Sequence, residues 1–181
     1  MPDLLAHALF AYAVATVAGL RVDWMAPPFV TLTIVGAMIP DLSKAYLVVD
    51  DEPIEAVVGG TIEWLALHTG GGIVLSVAIG VTLVATHHRR RATITLGSGA
   101  LSHVVLDLFL RTATGTAPYS IFWPVTTYRP PTLGVYLSTQ SWPTAVAAIL
   151  AAIAWVLERR AESGRNAKER ETEQPEPDSR A

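Results

Sequence analysis

Five apolar stretches, residues 4–20, 29–49, 64–86, 92–114 and 141–157, fill most of the first 158 residues. A hydrocarbon core roughly 30 Å thick is crossed by about 20 apolar residues of helix, so each stretch is long enough to be a span. Charge is correspondingly scarce. Only 16% of the 181 residues are charged against 51% hydrophobic, and the mean hydropathy is +0.38; an ordinary soluble domain carries roughly 25% charge. Residues 159–181 alone hold 12 of the 29 charges. What remains cannot cover the surface of a soluble globule. A net charge of −3 argues against nucleic-acid binding, and the absence of cysteine excludes a disulfide scaffold. The expected fold is all-α: a polytopic membrane helical bundle of about five transmembrane helices, over residues 1–158.

The basic residues orient these spans. With the N-terminus outside, Arg21, Arg89, Arg90, Arg91, Arg159 and Arg160 all fall on the cytoplasmic side, and the acidic segment 50–55 falls outside. Asp3 precedes the first span where a secretory leader would carry a basic residue, which argues against a cleaved signal. Residues 115–140 carry Pro118, Pro124, Pro130 and Pro131 among several aromatics, and read as an outer interfacial loop. Residues 159–181 are polar and charge-mixed, and read as a disordered cytoplasmic tail, with a helical start where it leaves the last span left open. No internal repeat is evident, so an inverted-repeat transporter is not encouraged. Small residues such as Gly70, Gly71, Gly72, Gly97 and Gly99 permit close helix contacts, and with them a homo-oligomer.

An ionisable side chain inside a span costs a few kcal/mol on insertion scales and marks a functional-site candidate. Here these are His7, Asp41, Lys44, His68, His103, Asp107 and Arg111. At about 1.5 Å of rise per residue, His7, His68, Asp107, Asp41 and His103 fall about 5, 6, 10, 12 and 16 Å below the outer ends of their spans. Four helices thus place their odd polar residues at or above mid-membrane on the outer side. Three histidines and two aspartates are the donors that zinc, manganese or iron use. His103 and Asp107 stand i, i+4 on one helix face, and Arg111 continues that stripe. Lys44 follows Asp41 by three residues. Each residue also has a plainer reading. The histidines and aspartates fit interhelical hydrogen bonds, Pro40-Asp41 fits a helix kink, and Lys44 and Arg111 fit cations snorkelling outward. His87 and His88 abut the arginine run and read as interface residues.

The sequence elements His7, Gly36-Ala37-Met38-Ile39-Pro40-Asp41, Leu67-His68-Thr69, Ser102-His103-Val104-Val105-Leu106-Asp107 and Tyr119-Ser120-Ile121-Phe122-Trp123-Pro124 together resemble the YdjM-like family, described as LexA-binding, inner-membrane-associated metal-dependent hydrolases. The resemblance covers roughly residues 5–125. It extends at long range to zinc-dependent phospholipase C and the single-strand zinc nucleases. Two positions depart from the family pattern: Ser43 stands where a second aspartate is expected, and Leu67 where a threonine precedes the histidine.

The expectation is therefore a divalent-metal hydrolase, with zinc foremost, acting on a phosphate ester such as a lipid phosphate or phosphodiester at the outer leaflet. His7, Asp41, His68, His103 and Asp107 are the expected ligands. Where a carboxylate stays free of metal, Asp41 is the expected general base, and Lys44, Arg111 and Arg129 are the expected phosphate-holding cations. Two alternatives remain: a metal or proton pathway, and a regulatory membrane module whose tail recruits a partner. A pathway needs polar groups at several depths, and the cytoplasmic half of the spans offers hydroxyls only.

Overall fold

A computed structural model describes residues 4–61 and 63–173. Among the described residues, six α-helices carry the fold: α1 (Leu4–Gly19), α2 (Pro27–Met38), α3 (Asp51–Val58), α4 (Gly70–Thr82), α5 (Arg89–Asp107) and α6 (Trp142–Glu173). Short 3-10 segments at Pro40–Leu47, Trp64–His68 and Thr86–His88 link them. No strand occurs among the described residues, which bears out the all-α expectation.

The five expected spans do not become five spanning helices. The stretch 29–49 breaks after Met38, where Pro40 opens a 3-10 segment because proline offers no backbone N–H and clashes with the preceding turn. The stretch 64–86 begins as 3-10 helix and restarts at Thr69, whose hydroxyl caps Gly72 N–H of α4 at 3.2 Å. The stretch 92–114 ends as helix at Asp107. Among the described residues, one helix is long and apolar enough to cross a membrane: α6, over Trp142–Lys168. The shorter helices α1, α2 and α4 are apolar. The tail is helical where it leaves the last apolar stretch. Residues 159–173 continue α6, since arginine, alanine, glutamate and lysine favour helix; the rest of that tail lies outside the described residues.

The helices pack in the order α6–α1–α2–α5–α4, with α1 also touching α5. Small side chains make the contacts. Ala11, Ala15, Ala147, Ala151 and Ala154 are buried on α1 and α6, and Ala37, Ala92 and Ala100 on α2 and α5. A Cβ on Gly99 would fall on the Thr33 carbonyl, and one on Gly36 on the Leu96 carbonyl, so the α2 and α5 backbones touch. Thr33 and Thr95 are buried there with their hydroxyls donating to carbonyls of their own helices. Many large aliphatic side chains point the other way, Val74, Leu75, Ile79, Leu101, Ile149 and Ile153 being exposed, while Ile39, Val77 and Leu96 form a small buried cluster.

Residues 108–141 fold back over one end of the bundle. Arg111 N–H donates to Tyr136 O and Leu133 N–H to Leu108 O, each at 2.7 Å. Gly70 and Gly71 N–H, at the start of α4, donate to Ile121 O and Trp123 O at 2.7 Å. The loop is thereby tied to both α5 and α4, above the two helix breaks.

Candidate metal centre

Each break delivers a polar side chain to one place. Asp41 sits in the first turn after Pro40, and His68 ends the second 3-10 segment. The two 3-10 segments pack against each other. His7 comes from α1, and His103 and Asp107 from the last turns of α5. All five are buried, His103 to 1% exposure and His7 to 2%. The five expected ligands therefore converge, although they come from four parts of the chain.

The donor atoms face one another. His7 Nε2 lies 3.6 Å from Asp107 Oδ1. His103 Nε2 lies 3.5 Å from Asp107 Oδ2 and 3.8 Å from Asp41 Oδ1. His68 Nε2 lies 3.7 Å from Asp41 Oδ1 and 3.9 Å from Asp107 Oδ2. Donors bound about 2.0–2.1 Å from one tetrahedral zinc stand about 3.4 Å apart, close to these spacings. Two overlapping donor sets share His103: His7–His103–Asp107 and Asp41–His68–His103, in each of which the donor atoms all lie within 4.8 Å of one another.

The partners behind the ring fix its orientation. His103 Nδ1 meets the Ala37 carbonyl oxygen at 2.7 Å. A carbonyl only accepts, so Nδ1 carries the proton and Nε2 keeps its lone pair for the cluster. Ser43 Oγ meets His68 Nδ1 at 2.6 Å, and Tyr119 donates its hydroxyl to Asp107 Oδ2 at 2.5 Å. Burial first, and then the Asp107 carboxylate, push the Tyr119 hydroxyl far above the usual phenol range, so it stays protonated and donates. The same two causes push Tyr136 up to about 12. The His7 and His103 rings stack with centroids 3.8 Å apart.

Among the described residues, five buried side-chain atoms lack a hydrogen-bond partner: His103 Nε2, His7 Nδ1 and Asp41 Oδ2 belong to the cluster, while Thr16 Oγ1 and His88 Nδ1 do not. Buried polar atoms left in that state cost about 1–3 kcal/mol each. Two carboxylates face three imidazoles, and Lys44 Nζ sits on Asp41 Oδ1 at 2.5 Å. One divalent cation would satisfy His103 Nε2, the orphaned atom that faces the cluster, and offset the excess negative charge together. The residues present thus fit a metal ion. The cluster opens into a cavity of about 210 Å³, lined also by Lys44, Ser43, Tyr119 and Pro118.

Two of the expected cations are elsewhere. Arg111 is exposed, and its guanidinium donates to the Gly134 carbonyl at 3.1 Å. α5 stops at Asp107, where Leu108 N–H and Phe109 N–H turn back to Val104 O and Leu106 O, so the i, i+4 stripe ends before Arg111. Arg129 is exposed on the loop and does not line the cavity. Lys44 does belong to the site, because i and i+3 share a face in a 3-10 helix. Sequence reasoning missed the positioning roles of Ser43 and Tyr119. The signals were present: Ser43 stands at the position of the missing aspartate, and Tyr119 opens the aromatic loop. Comparison with family models, curated proteins and solved structures finds no match.

Proposed function

We propose that this chain is a membrane-embedded, divalent-metal-dependent hydrolase of a phosphate ester at the outer leaflet, with zinc as its metal. The observation that carries this reading is the meeting of three imidazoles and two carboxylates around orphaned donor atoms, in a buried cavity that also holds a lysine. The resemblance to the YdjM-like hydrolases points the same way.

The inverted packing supports the membrane. Alanine and glycine fill the α1–α6 and α2–α5 contacts while many leucine, isoleucine and valine side chains face outward, an arrangement that suits lipid rather than water. Broken helices are tolerated in a bilayer where they line a protein-enclosed cavity, and both breaks here do so. In this reading the five apolar segments cross the membrane with the N-terminus outside and the C-terminus cytoplasmic, and the loop of residues 115–140 lies at the outer interface.

His7, His68, His103 and Asp107 would hold the metal, leaving Asp41 free as the base. When bound, the metal would supply Lewis acidity toward a phosphoryl oxygen and acidify water. Asp41 Oδ2, the carboxylate oxygen without a partner, takes the proton from the attacking water. Water oxygen bonds to phosphorus, the phosphorus–oxygen ester bond breaks, and the departing alcohol takes up the proton that Asp41 received. Lys44 holds the phosphate anion at the cavity wall.

The test pairs metal content by plasma mass spectrometry with phosphate release from a lipid phosphate in proteoliposomes. Near-stoichiometric metal in the wild type, absent from a His103→Ala, Asp107→Ala double variant, is expected. So is a loss of at least about a hundredfold in phosphate release for Asp107→Asn. Full activity in Asp107→Asn, or no metal uptake after loading, would overturn the reading.

A further inference from the structure

A second cavity, of about 300 Å³, lies between α1, α5 and α6. Its floor is Ala6 and Ala147, both buried, and its walls include Phe10, Phe109, Val146 and Leu150. No Asp, Glu, Lys or Arg lines it. Tyr136 adds its ring only, since its hydroxyl donates to the Leu106 carbonyl at 2.8 Å. Trp142 packs edge-on to that ring, with centroids 5.8 Å apart, and closes the rim. His7 lines this groove and also the polar cavity that holds Lys44 and the two aspartates. One imidazole therefore separates a charged chamber from a hydrocarbon-like one.

We propose that this groove is a hydrocarbon-chain subsite, so that the ester handled at the centre belongs to a long-chain amphiphile rather than to a water-soluble phosphate. The inference rests on the hydrolase reading for the fate of the headgroup. The charge pattern carries it: an anionic phosphate suits the chamber with Lys44 and a metal, and an alkyl chain suits the groove beyond His7. Two small floor residues keep the groove deep, because larger side chains at Ala6 or Ala147 would fill it. A larger apolar groove of about 700 Å³ lies between α4 and α5, but none of the five donors lines it. That groove is an internal control for ordinary lipid contact.

The test uses the purified full-length chain in nanodiscs with a dodecyl phosphate bearing a photoactivatable diazirine in its tail. Adducts are expected on residues 142–150 of α6 and on residues 105–109 at and just beyond the end of α5, competed by excess dodecyl phosphate. Val146→Trp should lower that labelling at least tenfold. Val146 is already 44% exposed, so the larger ring narrows the groove from its rim without entering helix packing. In parallel, kcat/KM for dodecyl phosphate should exceed that for ethyl phosphate at least tenfold, and the ratio should collapse in Val146→Trp. Labelling that is equal in the α4–α5 groove and indifferent to competitor would overturn the subsite, even if Val146→Trp fails to fold. Competed labelling without phosphate release from either ester would sink the hydrolase reading and keep the subsite. Release that ignores tail length, without competed labelling, would do the reverse.

Discussion

The α2–α5 contact and the metal-centre end of the same two helices are built on opposite principles. Along the contact, helices are continuous, Gly36 and Gly99 bring backbones together, and Thr33 and Thr95 satisfy their hydroxyls within their own turns. A few residues further on, α2 gives way to a 3-10 segment at Pro40, α5 stops at Asp107, and buried donors lack partners. The contrast teaches that the tight contact sets where the ligands sit, while the broken ends leave their lone pairs free. His103 links the two regions, since its Nδ1 is held by the Ala37 carbonyl of α2 and its Nε2 faces the cluster.

The strongest way to break this comparison is to separate the helices. Gly99→Leu drives a side chain into the Thr33 carbonyl and the Ala37 backbone nitrogen. Overpacking of that kind is expected to cost about 3 kcal/mol or more. Detergent-purified protein should lose its monodisperse elution peak and fail to retain metal. A stable variant with normal metal content would show that the helix contact does not position the centre.

Removing the metal should act on the other region alone. An ion present at a thousandfold over its dissociation constant stabilises the folded state by about 4 kcal/mol. Chelation should therefore lower the melting temperature of the wild type, and the His103→Ala, Asp107→Ala double variant should not respond to chelator. Equal melting curves for wild type with and without chelator would count against a metal that completes the fold at this end.

Ser43→Ala sharpens the comparison within the centre. It removes the 2.6 Å hydrogen bond to His68 Nδ1 while leaving every expected ligand in place. Loss of such an orienting partner typically weakens metal affinity about 10–100-fold. Competition with a chelator of known affinity would measure it. Tyr119→Phe should weaken binding similarly through Asp107, and equally from about pH 6 to pH 9, because the raised Tyr119 hydroxyl does not titrate in that range. An unchanged affinity in Ser43→Ala would make that contact incidental.

Much of the centre was legible in the sequence because donor chemistry and helical spacing are local properties. His103 and Asp107 share a face by helical spacing, and His7, Asp41 and His68 stand out as polar residues within apolar stretches. The helix breaks were less legible. Pro40 announced one, but Thr69 starts α4 through a capping hydroxyl inside an otherwise apolar run, which hydropathy does not register. The length of α6 was hidden because charged residues good at forming helix also compose disordered tails. The positions of Ser43 and Tyr119 behind the ligands depend on which loops meet, and that is a tertiary fact.

Arg111 gives the smallest expected effect and tests the point where helical periodicity misled. Extending α5 by one turn would have stacked Arg111 above Asp107, and the stripe argument assumed that turn. Instead the chain turns at Leu108, and Arg111 spends its backbone N–H on Tyr136 O and its guanidinium on Gly134 O. An exposed arginine with one carbonyl partner contributes within about 0.5 kcal/mol to stability. Arg111→Ala should leave metal content unchanged and phosphate release within about twofold of wild type, while Lys44→Ala lowers release by at least about tenfold. A large loss in Arg111→Ala would mean that α5 gains a turn when substrate arrives, and the boundary drawn here between scaffold and site would move outward to include the loop.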